Sequence, residues 1–225
     1  MNWSAIALTL RLALVVCTIL LAAGMPLAYW LTFTRWRWKF LAESVVALPL
    51  VLPPTVLGFY VLVAMGPQSP VGRLYQSWMG HGLPFTFEGL VAGSVIYSLP
   101  FTVQPMAAAF ALVDPTLINA SAILGASRVR TFFRIILPLS IGGVITGIVL
   151  SFAHTLGEFG VVLMVGGNIP GISQTISIAI YDNVQALDYT TANHMALLLL
   201  LFSFAVLSIL YSLNRRIWAV WPLHR

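Results

Sequence analysis

Two ionisable residues stand four apart in an otherwise apolar run, SFAHTLGEFG at residues 151–160. On a helix, His154 and Glu158 share a face and could pair. An ionisable residue at membrane depth is a functional candidate, and three chemistries compete for this pair. Ligation of zinc, as in a metal-dependent hydrolase, needs three or more ligands. No second His or Cys pair stands where it could help, so no metal residue is assigned. Direct contact with an anion would require Glu158 in its protonated form. A structural or gating role, with the carboxylate accepting from backbone N–H groups near Gly157 and Gly160, fits the surroundings best. Hydroxyls at Thr55, Ser94, Ser98, Thr102, Thr146, Ser151 and Thr155 offer a second, uncharged hydrogen-bonding chemistry. A third cluster is cationic: Arg128, Arg130 and Arg134 fall within seven residues.

The elements that carry these groups are greasy. Hydrophobic residues make up 60% of the 225 and charged residues 8%, with a mean hydropathy of +0.96. Soluble domains carry about 25% charged residues, so the composition indicates an integral membrane protein of several spans. The lone cysteine, Cys17, lies in an apolar run and reads as a small packed hydrophobe. The net charge of +5 could suggest nucleic acid, but the cations gather at span ends, where topology accounts for them. The first apolar run, about 5–33, precedes its flanking charges rather than following them. That order reads as a retained span and not a signal peptide.

Five spans are expected, at about 5–33, 41–65, 88–112, 138–165 and 191–213, in a single transmembrane domain covering 1–225. With the N-terminus outside and the C-terminus cytoplasmic, segments 34–40, 113–137 and 214–225 face the cytoplasm. Each holds three of the eleven Lys/Arg, as the positive-inside rule requires. Arg11 is close enough to the outer end of its helix to snorkel. The second span contains Pro49, Pro53 and Pro54 and cannot be a straight helix. The third contains Pro100 and Pro105. Ordinary kinking and a pathway lined by broken helices both remain open. Gly143 and Gly147 on the fourth span suit close helix approach. Outside, residues 71–78 suggest a short surface helix with Leu74, Tyr75 and Trp78 at the interface. Asp188 and His194 belong to the outer end of the last span.

Segment 113–137 begins with Asp114-Pro115-Thr116, an N-cap followed by proline at the first helical position. Leu117, Ala120, Leu124 and Ser127 then share a face. Such a shallow face suits the groove of a partner, while a positive loop against headgroups is the plainer reading. The stretch NASAILGASRVRTFFRIILP, residues 119–138, resembles the coupling motif of ABC importer permeases: Glu-Ala-Ala, three residues, Gly, nine residues, Ile-x-Leu-Pro. Ala120, Gly125, Ile135, Leu137 and Pro138 match. Asn119 and Ser121 depart from it. The resemblance implies an all-α permease of the type I importer architecture. It also implies an ATPase-coupling site built from Asn119, Ala120, Ser121, Leu124, Gly125, Ala126, Arg128, Ile135, Leu137 and Pro138.

LPLVLPP (48–54) with Gly58-Phe59-Tyr60, and LGEFG (156–160) followed by GNIPG (167–171), are similar to the molybdate and sulfate permease group. The shortness of the chain resembles its molybdate members. The resemblance implies a prokaryotic inner-membrane protein, a second copy of the same chain, two ATPase subunits and an external oxyanion-binding protein. No nucleic acid is implied. The chain itself would hold no cofactor and no catalytic residue. ATP and Mg would sit on the partner, since no Gly-x-x-x-x-Gly-Lys-Ser/Thr occurs here. Pathway or gate residues would be Pro53, Pro54, Thr55, Gly157, Glu158, Gly160 and Asn168. No Lys or Arg falls in mid-span, so selectivity would lie with the binding protein. A sulfate permease, a hydrolase using His154 and Glu158, and a passive channel are the alternatives.

Overall fold

The computed structural model describes residues 2–220, with side chains as far as Ser212 apart from Leu210. Of the basic tail, residues 221–225 lie outside the described residues. Every regular element among those described is helical.

α1 (Trp3–Phe33) is a single helix through Pro26. Its buried residues Ala5, Leu8, Leu12, Val16, Leu20, Gly24, Ala28 and Leu31 recur at three- and four-residue steps along its length. The stripe packs against α5 (Phe87–Ala111) and α9 (Ile141–Gly157), and these three helices form the centre of the molecule. Elsewhere large apolar side chains lie open, among them Leu14, Val45, Val51 and Phe204. In water that surface would be a liability; in lipid it is what a span presents.

Arg11 is exposed, with its guanidinium carbon 4.4 Å from the Phe87 ring centroid. The cation is therefore carried by the aromatic ring that opens α5.

The double proline breaks the second apolar segment. α2 (Lys39–Val51) and α3 (Pro54–Met65) are bent by 117°. Leu52 and Pro53 are both extended, as residues preceding proline must tend to be, and Pro54 opens α3 at its first position. α5 holds Pro100 and Pro105 yet stays continuous. After α4 (Pro70–Met79) and α5 come α6 (Pro115–Ile123) and α7 (Arg128–Thr131). A π-helical segment, Phe132–Ile136, leads into α8 (Leu137–Leu139). α9 stops at Gly157, and α10 (Gly160–Gly166) resumes beyond two non-helical residues. α11 (Ile176–Gln185) and α12 (Tyr189–Val220) complete the chain.

Three helices are long and apolar enough to cross a membrane by themselves, and up to five spans result if each bent pair is one. The second bent pair, Arg128–Leu139 with Ile141–Gly157, turns by 76°.

α5 and α9 meet through small residues. A Cβ on Gly143 would stand 2.2 Å from the Ala109 Cβ and 2.8 Å from the Pro105 carbonyl oxygen; one on Gly147 would stand 2.8 Å from the Thr102 carbonyl oxygen. Ser140 Oγ donates to the Ala109 carbonyl at 3.1 Å. The close approach read from the Gly143–Gly147 spacing thus occurs within one chain.

Candidate functional site: a basic hairpin and two facing helix breaks

The basic segment folds as a helical hairpin, not the single helix its sequence suggests. Asp114 caps α6, accepting from the Thr116 N–H at 2.8 Å. That backbone bond, with a second from the Thr116 side chain, holds the Asp114 carboxyl below the usual carboxylate range. The helix ends at Leu124, and Gly125 adopts φ +75°, the left-handed conformation that a side chain resists. Ser127 then caps α7 through the Arg130 N–H, so it cannot share a helical face with Leu117 and Leu124. Here the sequence reading is corrected: the Gly125-Ala126-Ser127 turn places the arginines on the hairpin's second arm.

Ser121 is the inner pin of this hairpin. It is buried, donates to the Ile118 carbonyl and bonds the Thr131 hydroxyl at 2.8 Å. It therefore ties the two arms together and is not part of an outward docking face. Ile135 and Leu137 also point inward, onto the cluster of Ala28, Val103, Met106, Phe110 and Val144. Phe132 sits edge-on to Tyr29 of α1 (5.3 Å) and Phe110 of α5 (5.9 Å). Asn119, Ala120, Leu124, Arg128 and Pro138 are exposed, and Ala126 is half-buried. Ile123, Leu124, Val129 and Phe133 form an apolar tip beside the arginines, with Ile123 and Leu124 87% and 86% exposed.

The second constellation is built from the two helix breaks. α3 packs on α10, and a Cβ at Gly160 would stand 2.6 Å from the Pro54 Cβ. Pro54 and Gly160, 106 positions apart by their numbering, are in contact. Pro53 and Thr55 are exposed on the same turn, and Gly157 has open space around it. Glu158 occupies the α9–α10 break in an extended conformation and is 4% exposed. Among the described residues neither carboxylate oxygen has a hydrogen-bond partner, and neither does the buried Ser94 Oγ on α5. The expected bonds from backbone donors near Gly157 and Gly160 are not made: Gly157 ends α9 and Gly160 opens α10.

His154 and Glu158 do not pair. Among the described residues the one ion pair joins Lys39 and Glu43. The helical register that would align the two ends at Gly157. His154 instead bonds Ser98 Oγ at 3.0 Å and stacks on Phe101 at 4.0 Å. Among the described residues no group of three His, Cys, Asp or Glu could hold a metal.

The hydroxyl candidates belong to the helix seam. Ser94, Ser98 and Thr102 on α5 and Ser151 and Thr155 on α9 are all buried. Ser98 bonds the Thr155 hydroxyl at 3.0 Å. Thr146 bonds the Gly142 carbonyl of its own helix, which leaves Thr55 as the exposed one. Asn168 lies away from the breaks in a polar cluster that sequence reasoning missed. It donates to Asp182 at 2.6 Å and accepts from Gln174 at 2.9 Å, and Gln174 accepts from Asn2 at 2.9 Å. The signal available was only a run of amides and an acid with no obvious partners.

Residues 5–219 match the family described as binding-protein-dependent transport system inner membrane component. The chain belongs to this family. It is a permease component and a multi-pass inner-membrane protein. It is 52% identical over 213 residues to the molybdenum transport system permease protein ModB of Azotobacter vinelandii, covering 94% of each chain. A probable sulfate transport system permease protein of Chlorokybus atmophyticus is 30% identical over 191 residues, covering 85% of this chain and 65% of that one. The fold is that of a chain in the crystal structure of a bacterial ABC transporter involved in alginate import. There the TM-score is 0.75 at 17% identity, with 95% of this chain and 79% of that one covered.

Proposed function

We propose that the chain is the membrane-spanning subunit of an ATP-driven importer of molybdate or its near-isostere tungstate. The observation that carries the transport mechanism is the hairpin of α6 and α7. Its tip presents Ile123, Leu124, Val129 and Phe133 to the exterior, while its base is fixed to α1 and α5 through Tyr29, Phe110 and Phe132. An apolar, arginine-flanked tip suits the groove of a soluble partner, and a partner's movement there reaches the spans through rigid side-chain packing. The substrate reading rests on the higher identity to the molybdenum permease than to the sulfate one.

In this reading two copies of the chain, N-termini outside, form the pathway. Two ATPase subunits on the cytoplasmic side bind ATP and Mg, and an external binding protein delivers the anion. ATP binding draws the hairpins together and opens the spans outward; hydrolysis restores the inward state. The facing breaks at Pro53-Pro54 and Gly157–Gly160, with Thr55 exposed beside them, supply the movable part of the pathway. Asn119, Ala120, Leu124, Gly125, Ala126 and Arg128 meet the ATPase. Ser121, Ile135, Leu137 and Pro138 hold the hairpin in place.

The deciding experiment is ATP-dependent uptake by vesicles holding this chain, its ATPase and the binding protein, with labelled molybdate, tungstate and sulfate. Uptake of the first two without sulfate supports the proposal. Sulfate uptake replaces the substrate. An assembled complex that moves none of them removes the transport reading.

A further inference from the structure

A crevice of about 390 Å³ opens between the end of α1, α2 and the second half of α5. Leu31, Val46, Ala47, Val103, Ala107 and Ala111 line it with apolar surface. Its polar groups are Thr32, Lys39, Glu43 and Gln104. Lys39 Nζ is 3.2 Å from Glu43 Oε1, with about a third of the lysine side chain exposed. The size is that of a small-ligand site. The hydroxyl of Thr32 is already committed to the Ala28 and Ala107 carbonyls, so the floor asks for nothing polar.

The border of the crevice has its own chemistry. Thr32 and Lys39 both line it, and the chain between them carries Arg35 and Arg37, both exposed. Trp30, Trp36, Trp38 and Phe40 surround them, also exposed. Trp30 and Trp36 lie 6.0 Å apart, and the Arg37 guanidinium rests 5.1 Å from the Trp38 ring centroid. Indole rings mark the headgroup level of a bilayer. Cations at that level attract anionic lipid, and basic pockets between spans hold such headgroups.

We propose that this crevice is a binding site for an anionic phospholipid, its acyl chain lying between α2 and α5 and its phosphate held by Lys39, Arg35 and Arg37. Glu43 competes with the phosphate for Lys39 and sets how tightly the lipid is held. The site is independent of the transported substrate.

The test is native mass spectrometry of the full-length permease released from detergent after incubation with phosphatidylglycerol or phosphatidylcholine of matched acyl chains. The wild type retains phosphatidylglycerol at least fivefold better. Lys39→Gln lowers that retention about fivefold, the effect of one juxtamembrane cation. Glu43→Gln raises it, a change that damage to the fold would not produce. Ala47→Phe, which fills the apolar part, reduces retention of both lipids. Saturating inorganic phosphate leaves the phosphatidylglycerol bound. Equal retention of the two lipids by the wild type overturns the proposal. So does displacement by inorganic phosphate, which would make the occupant a free anion. A crevice that holds lipid only in the monomer and loses it on dimerisation would also overturn it, since the second copy would then be the occupant.

Discussion

Two apolar segments of this chain carry clustered prolines, and they respond in opposite ways. α2 and α3, interrupted by Pro53-Pro54, turn by 117°. α5, with Pro100 and Pro105, runs unbroken for 25 residues. Spacing is the first cause. Adjacent prolines force Leu52 and Pro53 out of the helical region together, whereas prolines five apart each remove one bond and leave a full turn between them. Packing is the second. α5 is held on both sides by α1 and α9, with the glycines of α9 laid against its backbone at Thr102 and Pro105. α3 presents Val56, Phe59, Tyr60 and Val63 outward. A proline bends a helix only where its neighbours allow the bend.

The largest expected effect comes from removing that support. Gly143→Leu drives a side chain into Ala109 and the Pro105 carbonyl, so the assembled permease is lost, as size-exclusion profiles after extraction would reveal. Next, joint replacement of Pro53 and Pro54 by alanine lets α2 continue towards α3. Uptake falls at least tenfold while ATPase assembly persists; undiminished uptake would make the break mere packing. Third, Glu158→Leu removes a buried carboxyl that has no hydrogen-bond partner among the described residues. Thermal stability rises by about 1–3 kcal/mol, the cost of an unsatisfied buried polar group, while uptake drops. A loss of stability instead would mean that the carboxyl has partners in the assembled transporter. Fourth, Pro105→Ala in the supported helix changes stability by less than about 1 kcal/mol and leaves uptake near wild type.

The smallest effect concerns the hairpin. The Asp114 carboxyl titrates below its ordinary value because the charged form accepts from Thr116. Its capping contribution is complete at and above the usual carboxylate pKa and disappears as pH falls through the lowered, folded value. Protection of the Thr116 and Leu117 amides against exchange, taken relative to the intrinsic rate at each pH, should therefore fall in acid. Asp114→Asn, also a capping residue, should remove that acid dependence.

What could be read from the residues was what depends on near neighbours. The apolar runs, the break at Pro53-Pro54 and the Asp114-Pro115 helix start all follow from local rules, and all are present. The hairpin turn has its own signal, since glycine followed by a capping serine is a stop and a start, but the three- and four-residue spacing of Leu117, Ala120, Leu124 and Ser127 masked it. Other features depend on distant segments. Glu158 leaves the helix where α10 must turn to meet Pro54, and Asn168 finds Asp182 and Gln174 only once α11 folds back. No spacing rule links His154 to Ser98, fifty-six positions earlier.

The π-helical segment Phe132–Ile136 lies between the hairpin and α9. A π turn closes each hydrogen bond one residue later than an α turn. Its conversion to α-helix would advance everything beyond it by one residue, a screw motion of about 100° and about 1.5 Å. The hairpin is thus joined to α8 by a segment that would trade rotation for translation in single-residue steps, and across the 76° bend at Ser140 that screw motion would reach the helix that ends at Gly157 as a sideways push, not as a turn about its own axis.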